Sequence, residues 1–338
     1  MRPFIYSRAD ASAAAVRQAA VSAVSHVSAP IQYLAGGTTL LDLMKLDVMR
    51  PAEVIDIKRL SDPAMRQIEV TADGLRLGAL ATMAEAADHP AIKRDYPVLA
   101  QSLTLAASQQ LRNMASLGGN VLQRTRCPYF RDVSYTNCNK RIPGSGCAAL
   151  DGVNRQHAVL GSSSACIASY PGDWAQALVA LGARVDTLRG SGPGGMAFAD
   201  LHREPGNTPH IETALEPGEL ITAFLIPAGP HTRRSLYLKI RERESYEFAL
   251  ASAAVALDLN GDTVRDVRIA VGGVATKPWR ATEAERHLTG KVLDEAAAKR
   301  AGELAFAGAV GLTHNAFKIQ LGQETVARAL LQARALEV

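Results

Sequence analysis

Nowhere in the 338 residues do about eighteen apolar residues follow one another, the length a spanning helix requires, so no membrane-crossing helix is expected. The N-terminal stretch MRPFIYSRADASAAAVRQAAV has no uninterrupted apolar core and no cleavage pattern behind one, which predicts the absence of a secretory signal. Concentrated positive charge is missing as well. The formal net charge is +4 and Arg and Lys are dispersed among acids, so the electrostatic footprint of a nucleic-acid binder is lacking. The densest basic stretch, Arg124-Thr125-Arg126 with Arg131, Lys140 and Arg141 nearby, reads as a solvated loop in preference to an anion or partner contact. Catalytic signatures are equally scarce. No Gly-x-Ser-x-Gly elbow occurs, and LGSSSAC reads as a polar loop. The eight histidines, at 26, 89, 157, 202, 210, 231, 287 and 314, form no pair at metal-ligand spacing on a helix and are expected on the surface or satisfied in the core.

What the chain holds is a soluble-type composition, 47% hydrophobic and 21% charged, over a length that predicts two or three domains. Its four cysteines, 127, 138, 147 and 166, all fall within one irregular stretch. In a chain this long, without export evidence, they are not read as a disulfide framework, which leaves metal or redox chemistry. Their spacing, C-x10-C-x8-C-x18-C, lacks the short pairs usual in zinc sites. A four-thiolate iron–sulfur cluster needs only convergent sulfurs, and loops such as IPGSGC can wrap one at irregular spacing. On spacing alone a cluster, a zinc ion and unrelated buried thiols all stay open. Tyr129 and Tyr135 are expected to pack around such a site and not to relay electrons.

Helical spacing of Val16, Ala19, Ala20 and Val24 predicts a helix from about Ala11 to Val24. IQYLAGGTTLLDLMKL followed by EVIDI reads as strand, glycine turn, helix and strand. IEVTADGLRLGALAT reads as two strands joined at Asp73-Gly74, with one helical region from Met83 to about Met114 behind it. SLGGN is expected as a second glycine turn, DWAQALVALGARVDTL as a helix and a strand, and RGSGPGGMAF as a surface connection. Beyond Ile226-Pro227 the pattern predicts a three-stranded antiparallel meander. A capping box at Thr282 and Glu285 and two helices from about Asp294 and Glu324 follow it. The AGGTTLLDL loop suits anion binding by backbone N–H groups, although a glycine pair between strand and helix is often only a turn. No Gly-x-Gly-x-x-Gly opens a long parallel unit and no Gly-x-x-x-x-Gly-Lys-Ser/Thr is present. Asp173 is either an N-cap or an acceptor for a ligand hydroxyl or ring.

LAGGTTLLDLMK, NMASLGGNV, the Asp173 helix, GELITAFLIP, LYLKIRERESYEFALASAAVAL and AVGGVATKPWRATEAE, in that order, resemble the FAD-binding subunit of the xanthine dehydrogenase family of molybdenum hydroxylases. The resemblance covers essentially the whole chain. It implies an α+β fold, with a two-part FAD-binding domain of the xanthine dehydrogenase and CO dehydrogenase flavoprotein type followed by a C-terminal antiparallel sheet with a helical bundle. The boundaries expected are 1–58, 59–226 with an iron–sulfur insertion at about 121–168, and 227–338. The insertion, beginning ASQQLRNMASLGGNVLQRTRCPYFRD, resembles that of FAD subunits bearing an extra [4Fe–4S] cluster, closer to the molybdenum aldehyde oxidoreductase type than to 4-hydroxybenzoyl-CoA reductase. On that likeness Cys127, Cys138, Cys147 and Cys166 are the ligands. Ala35, Gly36, Gly37, Thr38, Thr39, Leu40 and Leu41, with Ser116, Gly118, Gly119 and Asn120, hold the pyrophosphate and adenosine part of FAD. Asp173, Ile221 and Lys239 line the rest, with Lys239 near the flavin ring.

The function so implied is electron transfer. A large molybdenum-cofactor partner oxidises an aldehyde, a small [2Fe–2S] partner relays electrons, and FAD here passes them to an external acceptor, with quinone or protein favoured over NAD. Reversed flow to an aromatic thioester and a zinc-stabilised nucleotide-binding scaffold are the alternatives. The compartment implied is the periplasm, through co-export with a signal-bearing partner, or the cytoplasm.

Overall fold

The computed structural model describes residues 1–20, 27 and 29–338. Three short strands, β1 Ile5–Arg8, β2 Ile31–Leu34 and β3 Glu53–Asp56, form a parallel sheet in the order β1-β3-β2. Helix α1, Ser12–Ala19, buries Ala15, Val16 and Ala19, so the expected apolar stripe is present. Val24, the far end of that expectation, lies outside the described residues. The glycine loop after β2 leads into α2, Leu40–Lys45, and the chain returns as β3, giving the strand-turn-helix-strand unit.

A hairpin, β4 Ile68–Val70 and β5 Gly74–Gly78, comes next. The single helical region expected after it is four helices, α3 Met83–Asp88, α4 Pro90–Asp95, α5 Pro97–Thr104 and α6 Gln109–Met114. Pro90 and Pro97 restart the chain because proline suits a first helical turn and pushes the residue before it out of helical geometry. Thr82 and Glu85 form a full capping box on α3. SLGGN departs from its expected turn. It is a short helix, α7 Leu117–Val121, because Ser116 Oγ accepts from Gly119 N at 3.2 Å and caps it.

After α8, Pro128–Arg131, a long irregular stretch reaches α9, Trp174–Ala180. Strands β6 Arg184–Arg189 and β7 Gly192–Ala197 pair directly, so RGSGPGGMAF is largely a strand and not a surface connection. Its glycines and Pro193 are tolerated because β7 is an edge strand. With β8, Leu220–Pro227, these complete a five-stranded sheet in the order β4-β5-β8-β6-β7.

The expected meander is present as β9 Ser235–Ile240, β10 Ala251–Asn260 and β11 Thr263–Gly272, and short β12 Trp279–Arg280 extends it to four strands. Alternation along β10 divides its burial. Ala254 and Ala256 join the large core with the middle sheet and its helices, while Ala253, Val255 and Leu257 face a second core shared with the C-terminal helices. Those helices are α10 Thr282–Leu288, α11 Glu295–Ala305 and α12 Phe317–Arg334. The Thr282–Glu285 capping box does not form. Glu285 Oε1 accepts instead from Ile269 N at 2.8 Å and Arg280 Nε at 2.9 Å, tying α10 to the sheet. Helix α12 also starts at Phe317, about two turns before the expected Glu324.

Helices α11 and α12 meet at Gly302, where a Cβ would lie 2.3 Å from the Gln323 carbonyl oxygen. Gly302→Val is therefore expected to lower unfolding free energy by about 1–3 kcal/mol. An unchanged denaturant midpoint would contradict that contact.

Candidate functional site

The loop between β2 and α2 lies against the chain between α6 and α7. A Cβ on Gly36 would stand 2.0 Å from the Met114 carbonyl oxygen, so only glycine permits the approach. Gly37 has a φ of +75°, the left-handed region. Between these segments and β8 opens a cleft enclosing about 1430 Å³, including the part open to solvent. Ala35, Gly36, Gly37, Thr38, Thr39 and Leu40 line it from the first loop, Ser116, Gly118 and Gly119 from the second, and Ile221 from β8. Leu41, Asn120, Asp173 and Lys239 are not among the described residues that line it. Leu41 packs with the core behind α2, and Asn120 Nδ2 reaches Met83 Sδ at 3.2 Å while its Oδ1 is buried without a hydrogen-bond partner.

Asp173 and Lys239 form a buried ion pair at 2.8 Å, with side chains 5% and 1% exposed. Tyr237 donates its hydroxyl to the other Asp173 oxygen at 2.7 Å, and Lys239 also donates to the Leu105 carbonyl at 3.0 Å. Asp173 stands at the start of α9, yet its side chain caps no helix N–H, so the N-cap reading does not hold. Burial pushes its carboxyl above the ordinary value even against Lys239 and Tyr237.

All four cysteines are free and line a second, smaller space of about 280 Å³, again including the part open to solvent. Cys138 pairs with Cys147 through a backbone bridge, and Cys166 pairs likewise with Ser163. Among the described residues no three His, Cys, Asp or Glu side chains are grouped closely enough to share one metal ion. Burial pushes the Cys127 thiol up to about 12 and Cys166 up to about 11. His157 Nε2 lies 3.1 Å from Cys127 Sγ. Burial, then Lys318, brings that imidazole down to about 4, which keeps it neutral. Tyr129 and Tyr135 stack edge-on at 4.8 Å beside this cavity, and Tyr129 accepts from Val153 N at 2.6 Å, a packing arrangement. Phe130, fully buried, joins the loop to Leu34, Leu43 and Val54 of the N-terminal core.

Residues 4–229 match the family described as the FAD binding domain in molybdopterin dehydrogenase, and residues 236–333 match the CO dehydrogenase flavoprotein C-terminal domain. The chain is 46% identical over 337 residues to the aldehyde oxidoreductase FAD-binding subunit of Escherichia coli, with 99% of each chain covered. The chain belongs to the FAD-binding subunits of the molybdenum hydroxylase family. Its fold is shared with quinoline 2-oxidoreductase from Pseudomonas putida, at a TM-score of 0.74 and 22% identity over 98% of this chain and 97% of that one. Carbon monoxide dehydrogenase from Hydrogenophaga pseudoflava gives 0.75 at 24% identity, covering 99% and 100%.

In this FAD-binding subunit the basic stretch is not the solvated loop its composition suggests. Arg131 and Arg126 both pair with Asp42 of α2, at 2.8 and 3.1 Å. Burial raises that carboxyl, but the two guanidiniums outweigh it and hold Asp42 below its ordinary value. Arg141 Nη1 donates to the Tyr129, Phe130 and Asp132 carbonyls at 2.7–2.9 Å, closing the end of α8. Lys140 and Arg124 both pair with Glu212. Arg124, Glu212 and Tyr33, whose hydroxyl donates to the Gly218 carbonyl at 2.7 Å, are cleft residues that sequence reasoning missed. No periodicity or motif marks them; the only signal was the basic cluster itself.

The buried pair makes a pH-dependent prediction. An acid whose folded pKa is raised contributes stability that falls as pH rises from the unfolded pKa through the folded one, and removing Lys239 extends that window upward. Lys239→Met is expected to lose about 3–5 kcal/mol at neutral pH and to regain part of it on acidification as Asp173 takes a proton. Denaturant unfolding of both proteins at neutral and mildly acidic pH checks this, and a pH-independent difference would contradict it.

Proposed function

We propose that this subunit carries FAD in the glycine-lined cleft and a [4Fe–4S] cluster in the cysteine cavity, and transfers electrons within a heterotrimeric molybdenum-dependent aldehyde oxidoreductase. The observation that carries the reading is that the chain's four cysteines, all free, line one small cavity beside the unit that supplies the first glycine loop. The likeness to an aldehyde oxidoreductase FAD-binding subunit supports the substrate class.

The donor sets suit the two groups. Four free thiols lining one space give the all-sulfur donor set that an iron–sulfur cluster takes. The glycine contacts of the cleft leave backbone where a side chain would otherwise fill the space. When bound, FAD supplies exchange between one-electron and two-electron traffic and the cluster supplies single-electron transfer.

The chain's own residues position these groups. Ala35 to Leu40 of the first loop, with Ser116, Gly118 and Gly119 of the second, hold the pyrophosphate and adenosine end; Leu41 and Asn120 back the two loops from outside the cleft. Ile221 lines the cleft, while Asp173 and Lys239, locked together, hold β9 against the start of α9. Asp42 ties the first glycine loop's helix to the cysteine loop through Arg126 and Arg131. In the assembled enzyme, a large molybdenum-cofactor partner oxidises the aldehyde and a small [2Fe–2S] partner delivers electrons here, for release to an external acceptor.

Iron, acid-labile sulfide and flavin content of the chain isolated without air tests the reading. About four irons per FAD are expected, and each of Cys127→Ser, Cys138→Ser, Cys147→Ser and Cys166→Ser should lose iron. Flavin without iron would overturn the cluster, and a folded chain with neither would overturn both assignments.

A further inference from the structure

Arg124 stands where the cleft meets the cysteine loop, three residues before Cys127. Its side chain is 9% exposed and ion-paired with Glu212, and its guanidinium carbon sits 5.3 Å from the centre of the buried Phe130 ring. Arg124 Nη2 is nevertheless buried with no hydrogen-bond partner among the described residues. A guanidinium is always charged and presents five donors, so a buried N–H left without an acceptor is unfavourable unless a ligand supplies one.

Charge counting sharpens this. Among the described residues Arg124 is the only cationic side chain lining the cleft; Glu212, Glu216 and Glu219 line it with opposite sign. Glu216 and Glu219 are both paired with Arg189, which is not among the lining residues. Glu212 is shared. Its second oxygen accepts from Lys140 Nζ at 2.7 Å, and Lys140, which lines the cysteine cavity, also donates to the Pro209 carbonyl at 3.1 Å. Burial raises Glu212, but Arg124 and then Lys140 outweigh it and keep the carboxylate ionised. Over the whole cleft Arg124, Lys140 and Arg189 balance Glu212, Glu216 and Glu219, but the charge is unevenly placed: at the Arg124 end two cations share one carboxylate, a local excess of one positive charge. The guanidinium fork matches phosphate oxygens and is already held in place on both sides.

We propose that Arg124 binds a pyrophosphate oxygen of the bound dinucleotide, and that the cysteine loop sets its position through Lys140 and Glu212, so that FAD retention depends on that loop. The proposal rests on the cleft being the FAD site. Lys140 is a positioning residue: without it Glu212 turns wholly to Arg124 and cancels its charge.

The test titrates the full-length chain, stripped of flavin, with FAD and with riboflavin, which has the ring but no phosphate, following fluorescence quenching. Arg124→Gln should weaken FAD about tenfold or more and leave riboflavin unchanged. Lys140→Met should weaken FAD about threefold with the same indifference to riboflavin. FAD binding by Arg124→Gln within about twofold of wild type, or equal weakening of both flavins, overturns the proposal. Should Arg124→Gln fail to fold, Arg124→Lys decides, since it keeps the charge and loses the fork. Selective weakening of FAD supports the proposal and unchanged FAD overturns it. A wild-type chain that takes up no FAD would sink the cleft assignment itself, a result distinct from wild-type binding that Arg124→Gln does not alter.

Discussion

The cleft exists because backbone can touch backbone at Gly36. With no Cβ there, the loop leaving β2 comes down on the Met114 carbonyl, and the N-terminal unit meets the middle one along a seam that a side chain would wedge open. Gly118 repeats the device from the other side, where a Cβ would lie 3.1 Å from that of Ala79. Two loops that read alike in sequence therefore become a single wall. Their conformations differ, one left-handed at Gly37 and the other a capped helical turn.

The cysteine loop is organised by a different force. Between α7 and α9 it holds one helix of four residues, so hydrogen-bonded ladders do little to shape it. Paired charge does instead: half-buried Arg126 and Arg131 on Asp42, Arg124 and Lys140 on Glu212, and buried Arg141 on the carbonyls at the end of α8. Such pairs add little net stability after desolvation, but breaking the pairs on Glu212 strands charge in the interior, which makes them strict about geometry. A loop that must present four sulfurs around one cavity needs that strictness more than it needs stability.

The C-terminal sheet supports both sites from behind. Its β10 strand is buried on two faces, Ala254 and Ala256 toward the middle unit and Ala251, Ala253, Val255 and Leu257 toward the core shared with α11 and α12. Tyr237 and Lys239 of β9 reach across to Asp173, and Lys318 of α12 donates to the His157 carbonyl at 3.1 Å beside Cys127. The helical bundle thus touches the cysteine loop without lining either cavity.

Local chemistry was legible in the sequence wherever the cause is local. The β2–α2–β3 unit, the hairpin at Asp73-Gly74, the meander and the crowding of cysteines all follow from periodicity, turn residues and spacing, which need only neighbours in the chain. Ordered motifs carried the family for the same reason. Context reversed the rest. Thr282 and Glu285 read as a cap until Arg280 and Ile269 N claimed the carboxylate; RGSGPGGMAF read as loop until an edge position made its glycines harmless; and the Arg124 to Arg141 cluster read as solvated until Asp42 and Glu212 arrived from 82 or more residues before Arg124 and 71 or more after Arg141. The sequence by itself determined which groups this protein owns and in what order. Tertiary structure decided which of them face one another, because burial and pairing depend on residues that only the fold brings within reach.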